Sequence, residues 1–152
     1  MTIKRFYYSL IRPFLYLYYF VFKPKTFGVK MLVKKGNKFL YIRNSYGLEY
    51  WTFPGGGINR NELPEHAAIR ETLEETGIPV AKPISIGTYK STRQYKRDTV
   101  YCFYTQIKQS RIKINPGEIL TAEWKDITHL PEPRSFAVNE VLNLYKKYLR
   151  SQ

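Results

Sequence analysis

Hydrophobic and polar positions along this chain change their period several times, and each change marks an element. Residues 28–34 and 38–43 are apolar-rich runs flanking Lys35-Gly36-Asn37, which predicts a hairpin. A short extended piece over residues 50–53 leads into Pro54-Gly55-Gly56-Gly57. The period then becomes helical. Residues 64–76 start on a proline and stop just before Gly77, the usual marks of a helix start and stop. Residues 84–93 and 99–107 return to strand character, with residues 95–98 as their connection. After the turn Asn115-Pro116-Gly117, residues 121–127 form a last strand candidate, and Ser135 is placed to cap a final helix running to Leu149. Strands, helix, strands, helix, without an internal repeat, predict one α/β domain with a mixed sheet and helices on its faces.

Residues 5–22 break with this pattern. Nine of them are aromatic, and Lys4, Arg5, Lys23 and Lys25 flank them. A spanning helix needs about 20 apolar residues, and Arg12-Pro13 interrupts this stretch, so no transmembrane span is expected. Phe22-Lys23-Pro24-Lys25 offers no small-residue cleavage site, so the segment is expected to be retained. Pro13 can open a helix at its first position, which predicts two short helices. Their aromatic and basic residues suit peripheral contact with an anionic membrane, packing on the domain, or homodimerisation. The expected division is residues 1–26 as an aromatic, basic extension and residues 27–152 as the domain.

Composition narrows the picture further. A chain of 152 residues with 43% hydrophobic and 24% charged positions is long enough for one packed core and is not disordered in composition. The net charge is +13, and the first acidic residue, Glu49, follows ten Lys and Arg residues. Such a surface favours anionic partners: nucleotides, nucleic acid or acidic headgroups. Cys102 is the single cysteine and sits in the apolar run 100–104, which excludes a disulfide framework and a cysteine metal site. A reducing cytoplasm is the simplest compartment.

Against this basic background, five of the twelve acids (Glu62, Glu65, Glu71, Glu74 and Glu75) fall within fourteen residues. At about 100° per residue, Glu71, Glu74 and Glu75 share one face of the predicted helix with Ala67, while Ile69, Thr72, Leu73 and Thr76 take the opposite side, which can pack on a sheet. Like charges at these spacings repel by a few tenths of a kcal/mol per pair. Arg70 reaches Glu74 one turn on but cannot neutralise three carboxylates. A hard divalent cation, Mg²⁺ or Mn²⁺, can, because it prefers carboxylate and carbonyl oxygens. The glycines before the helix let backbone carbonyls approach a ligand at little steric cost.

Taken together, Gly56, Glu62 and Arg70-Glu71-Thr72-Leu73-Glu74-Glu75-Thr76-Gly77-Ile78 resemble the Nudix box, which would cover 23 of the 152 residues, from Gly56 to Ile78. The resemblance implies an α/β/α sandwich and a metal-dependent hydrolase that cleaves a phosphoanhydride bond in a nucleoside diphosphate linked to another moiety. It implies Glu74 and Glu75 as principal metal ligands, Glu71 as a further ligand or the base for the attacking water, and the Gly55 carbonyl as part of the metal shell. Arg70 would orient the glutamates, and Gly56, Glu62 and Gly77 would support the loop and the helix end. A further glutamate beyond the box is expected at Glu118, with Glu123 second. Two positions depart from the pattern. Thr72 replaces an aliphatic residue, which bears on packing, and Leu63 replaces a capping Ser or Thr, which weakens the helix start by about 1 kcal/mol.

Substrate contacts are expected from Arg43, Tyr46, Trp51 and Tyr95, with Arg93, Lys96 and Arg97 as further phosphate-holding cations. His66 and His129 are not expected to be ligands. Two rival readings stand beside the first: an RNA 5′-pyrophosphohydrolase whose basic patches track a phosphate backbone, and a non-catalytic nucleotide-binding module, against which the full set of acids argues.

Overall fold

The computed structural model describes residues 3–45, 49–108 and 111–152; Tyr46, one of the expected substrate contacts, lies outside them. Helix α1 (Ile3–Phe22) precedes β1 (Lys25–Lys35), β2 (Lys38–Asn44) and the two-residue β3 (Trp51–Thr52). Helix α2 (Pro64–Thr76) follows, then β4 (Ile84–Ser91), a 3₁₀ turn (Arg93–Tyr95), β5 (Arg97–Gln106), β6 (Ile119–Asp126) and α3 (Phe136–Arg150).

One mixed sheet carries all six strands in the order β3-β2-β1-β5-β4, with β6 on the other edge of β2. The β1–β5 pair is parallel and the remaining pairs are antiparallel. Alternation along the strands divides the core in two. On one face Val29, Met31, Val33, Leu40 and Phe103 pack with Ala67 and Ala68 of α2. On the other, Leu32, Phe39, Tyr41, Phe53 and Cys102 pack with Val138, Val141 and Tyr145 of α3. This is the expected α/β/α layering, and Cys102 is fully buried in it.

The hairpin β1–β2 is paired only at its base, Lys34 with Phe39 and Lys35 with Lys38. Beyond that the strands part, and β2 takes β3 on the vacated edge, Ile42 opposite Thr52 and Arg43 opposite Trp51. The freed edge of β1 is satisfied by the glycine segment instead: Val29 N donates to Gly56 O and Met31 N to Pro54 O, both at 2.9 Å. Backbone groups left open inside a core must find such partners. The parting of two strands thus seats the glycine run against the sheet.

Helix α2 has Pro64 in its first turn and Gly77 at its end in a left-handed conformation (φ 69°), whose N–H bonds the Leu73 carbonyl. Thr72 is fully buried and donates to Ala68 O at 2.7 Å, so the helix itself satisfies the hydroxyl that replaces an aliphatic side chain.

Three local expectations are corrected. Residues 3–22 form one helix with Pro13 inside it rather than two helices; an interior proline removes one hydrogen bond without ending a helix that continues on both sides. Strand β5 begins at Arg97, because Arg97 and Asp98 pair with Lys25 and Thr26, a partner that local pattern cannot see. Ser135 does precede α3, but its side chain makes no capping bond, and its Oγ is buried without a partner.

Candidate active site

The parted strands, the glycine segment and α2 meet at one place. Gly55 adopts φ 137°, and a Cβ there would lie 2.1 Å from the Val29 carbonyl oxygen, so only glycine fits the close approach. At Gly56 a Cβ would lie 2.6 Å from the Glu71 carboxylate. The glycines therefore let one backbone strip touch β1 on one side and an acid of α2 on the other. Lys30, on β1 where it faces this strip, donates from Nζ to Phe53 O at 2.8 Å and Gly55 O at 3.2 Å. Burial holds the Lys30 ammonium below its ordinary pKa, and Glu75 and Glu71 pull it back up.

The acids of α2 are organised by Arg70. Its guanidinium donates to Glu62 from Nε at 2.7 Å and from Nη2 at 2.9 Å, to Glu71 at 2.8 Å, to Glu74 at 3.3 Å and to Gly57 O at 3.1 Å. Glu62 in turn accepts from Asn59 N at 2.9 Å. The Arg70 bonds and the Asn59 amide hold the Glu62 carboxyl down to about 2. One arginine thereby ties the loop before α2 to two acids upon it.

Glu75 is placed differently from its neighbours. It is 5% exposed, and its Oε2 accepts from Gly55 N at 2.9 Å. Burial pushes its carboxyl up to about 7, while Lys30 and the Gly55 amide pull it down and Glu71 and Glu118 push it further up. The helical wheel is corrected here: Glu75 lies on the buried side with Ala68, Thr72 and Thr76, whereas Leu73, expected to pack on the sheet, is 49% exposed. The reason is the glycine strip, which receives the Glu75 carboxylate in a polar niche that a flat sheet face lacks.

Among the described residues no three acidic side chains are drawn into a ready-made metal cage. Arg70 occupies Glu71 and Glu74, and the Gly55 amide and the field of Lys30 occupy Glu75. The donor set nevertheless fits a hard divalent cation. Glu71 and Glu118 act on a buried Glu75 whose ionisation is already costly, the Gly55 amide binds the Glu75 carboxylate, and the Gly55 carbonyl accepts from an ammonium and so is itself a cation acceptor.

A cavity of about 810 Å³ borders the glycine run. Lys25, Lys30 and Lys96 bring positive charge to it, Tyr50 and Tyr89 bring aromatic rings, and Gly55, Gly56 and Gly57 form part of its wall. Asn44 Oδ1 and Ser135 Oγ, both buried without a hydrogen-bond partner among the described residues, belong to residues of the same wall. Tyr16 of α1 completes one side.

Of the expected substrate contacts, Arg43, Trp51 and Tyr95 are not part of this wall. Alternation along β3 turns Tyr50 and Thr52 to the cavity and Trp51 into the α3-side core, where it is 7% exposed between Arg43 and Lys125. Arg43 also pairs with Glu49 at 2.9 Å. Tyr95 (φ 60°) packs its ring edge-on against Phe20. Glu118 sits in a loop tied to the end of α2 by Lys113 N to Thr76 O and Asn115 N to Glu75 O, close enough for its charge to act on Glu75. Glu123 lies on β6, paired with Lys125 at 2.7 Å. Lys96, expected as a phosphate-holding cation, lines the wall, whereas Lys30, Asn44 and Ser135 were missed as contacts. Only Lys30 left a trace in the sequence, as the lone charge in the apolar run 29–33.

The NUDIX domain family model matches residues 23–145. A putative 8-oxo-dGTP diphosphatase of Bacillus subtilis (strain 168) is 28% identical over 106 residues, 70% of each chain. An RNA pyrophosphohydrolase of Saccharophagus degradans is 35% identical over 75 residues, 49% of this chain and 43% of that one. A MutT NUDIX hydrolase from Burkholderia pseudomallei has the same fold, with a TM-score of 0.73 at 18% identity over 79% of this chain and 97% of its own.

Proposed function

The chain belongs to the Nudix hydrolase family, a family of pyrophosphohydrolases, and from that premise we propose that it hydrolyses a phosphoanhydride bond in a nucleoside diphosphate linked to another moiety, with Mg²⁺ or Mn²⁺ as cofactor. The observation that carries this reading is the cationic cavity, part of whose wall is the glycine run that also touches Glu71 and Glu75. Its size is that of a small-molecule site.

In this reading the Gly55 carbonyl and the carboxylates of Glu74 and Glu75 would hold the cation, with Glu71 as a further ligand or as the base for the attacking water. When bound, it neutralises charge on the pyrophosphate oxygens and acidifies water. Arg70 keeps Glu71 and Glu74 oriented and locks them to Glu62. Water attacks one phosphorus as the bridging P–O bond breaks, and Glu71 or Glu118 takes the proton. Lys25, Lys30 and Lys96 hold the phosphate charges, a ring such as Tyr50 or Tyr89 stacks on the base, and Asn44 and Ser135 supply polar atoms for its edge. The compartment proposed is the cytoplasm, where Cys102 stays a thiol.

The basic cavity margin and the likeness to an RNA pyrophosphohydrolase favour a second reading, in which the substrate is a 5′-polyphosphate RNA end. A panel of 8-oxo-dGTP, nucleoside triphosphates, ADP-ribose, nucleotide sugars, dinucleoside polyphosphates and 5′-triphosphate RNA, each with Mg²⁺ or Mn²⁺, tests both. Turnover of a free nucleotide derivative is expected. Turnover of RNA alone, with an apparent affinity that falls steeply with salt, selects the second reading. No turnover on any member removes both.

A further inference from the structure

Helix α1 has two unlike faces. Inward, Tyr16 borders the cavity, Phe20 meets the Tyr95 ring at 5.2 Å, and the Lys96 ammonium lies 4.6 Å from the centre of the Tyr19 ring. The backbone beyond its end is fastened as well: Arg97 donates from N to Pro24 O and from Nε to Lys23 O, at 3.0 and 3.1 Å. Among the described residues, the helix is therefore held by the β4–β5 connection through this face.

Outward, Phe14, Leu17, Tyr18, Val21 and Phe22 recur at spacings of three and four, so they form one stripe, and each is about half exposed or more. A surface helix ordinarily turns its apolar stripe to the core and its charges to water. Here the stripe facing solvent is apolar and aromatic, which marks an interaction surface. The helix is not apolar enough to cross a membrane.

Charge selects the occupant. No acid occurs before Glu49, and the exposed Lys23, Lys25 and Arg97 stand at the C-terminal end of the stripe. The nearby acid Asp98 accepts a hydrogen bond from Thr26. Two copies of a chain of net charge +13 meeting through these ends would repel, whereas an anionic bilayer attracts them. We propose that the outward face of α1 docks on an anionic lipid surface, with the helix lying in the interface plane, its aromatic stripe at the boundary between headgroups and acyl chains and Lys23 and Arg97 at the headgroups. Because Tyr16 on the opposite face borders the cavity, docking sets the substrate cleft directly over the membrane surface.

The test is co-sedimentation of the full chain with vesicles of phosphatidylcholine alone and of phosphatidylcholine mixed with phosphatidylglycerol. The wild type is expected to bind the anionic vesicles at least roughly tenfold more tightly, with affinity falling as salt is raised. In the double variant Leu17→Ser, Val21→Ser this binding is expected to drop by roughly tenfold or more, while hydrolysis in free solution is unchanged, which also shows that the variant is folded. Equal binding of the variant and the wild type, binding that ignores lipid charge, or no binding by the wild type overturns the proposal. Sedimentation velocity without lipid adds one more decisive outcome. A wild-type dimer that the double variant dissolves assigns the stripe to a second copy of the chain instead.

Discussion

The ammonium of Lys30 lies 3.2 Å from the carbonyl oxygen of Gly55, the residue whose amide N–H donates to Glu75. A lysine thus stands where a metal-binding carbonyl is proposed. It holds the glycine turn in place, and it would repel a cation bound there. Lys30→Met removes both effects, and each bond lost to a charged donor is worth about 1.5–3 kcal/mol. In chelator the melting temperature is expected to fall by roughly 5–10 °C. The Mg²⁺ dissociation constant, read by calorimetry, is expected to fall by roughly tenfold because one positive charge has gone. An unchanged constant would refute the competition.

Glu75 makes the metal-free protein sensitive to pH. Its folded-state pKa, about 7, lies above the ordinary 4.5, so the folded chain binds this proton more tightly than the unfolded chain. The stabilisation is complete below the unfolded value and is lost as pH rises through about 7. It is on the order of 3 kcal/mol. Melting in chelator from about pH 5 to about pH 8 should therefore show falling stability, and Glu75→Gln should flatten that fall. Saturating Mg²⁺ should oppose it, since only the ionised carboxylate binds a cation. A slope that Glu75→Gln leaves intact would place the titrating group elsewhere.

Gly56 leaves no room for a side chain beside Glu71, whose carboxylate would lie 2.6 Å from the added Cβ. The far end of a glutamate can swing away, so Gly56→Ala is expected to fold. The displaced carboxylate should lower turnover by roughly a hundredfold at nearly unchanged melting temperature. A wild-type rate would show that Glu71 works from more than one position.

Glu118 and Glu123 separate cleanly. Glu118→Gln is expected to lower turnover by roughly 10²–10⁴ without loss of fold, the range for removing a proton acceptor. Glu123→Gln touches only exposed contacts, its pair with Lys125, worth about 0–1 kcal/mol, and a 3.4 Å bond from Thr121 Oγ1, and its rate should match the wild type. Steady-state kinetics on the best substrate of the panel decides. Equal rates for both variants would leave Glu71 as the acceptor.

The helix of the acidic box was legible because everything that defines it is local. Pro64 and Gly77 mark its ends, and the spacings of Glu71, Glu74 and Glu75 are those of one chain on itself. Strand positions were legible for the same reason, with errors where pairing overrode pattern, as at Arg97. Cavity membership was not. Trp51 and Arg43 have the chemistry to hold a nucleotide, yet alternation about β3 sends Trp51 to the core, and which face of a two-residue strand is open depends on neighbours far away in sequence.

By itself, then, the sequence determined the family, the reaction class and the order of the elements, since the spacings of the box and the periods of the strands and helices are properties of the chain alone. Only the tertiary structure decided that β1 and β2 part after Lys34 and Phe39, and the setting of the acidic helix against the sheet follows from that parting. It seats the glycine run on β1, brings Lys30 to Gly55 and opens the niche that buries Glu75. The cause is hydrogen-bond satisfaction across distances of twenty residues and more. The freed edge of β1 had to find partners, and of the segments near it only the glycines fit so closely.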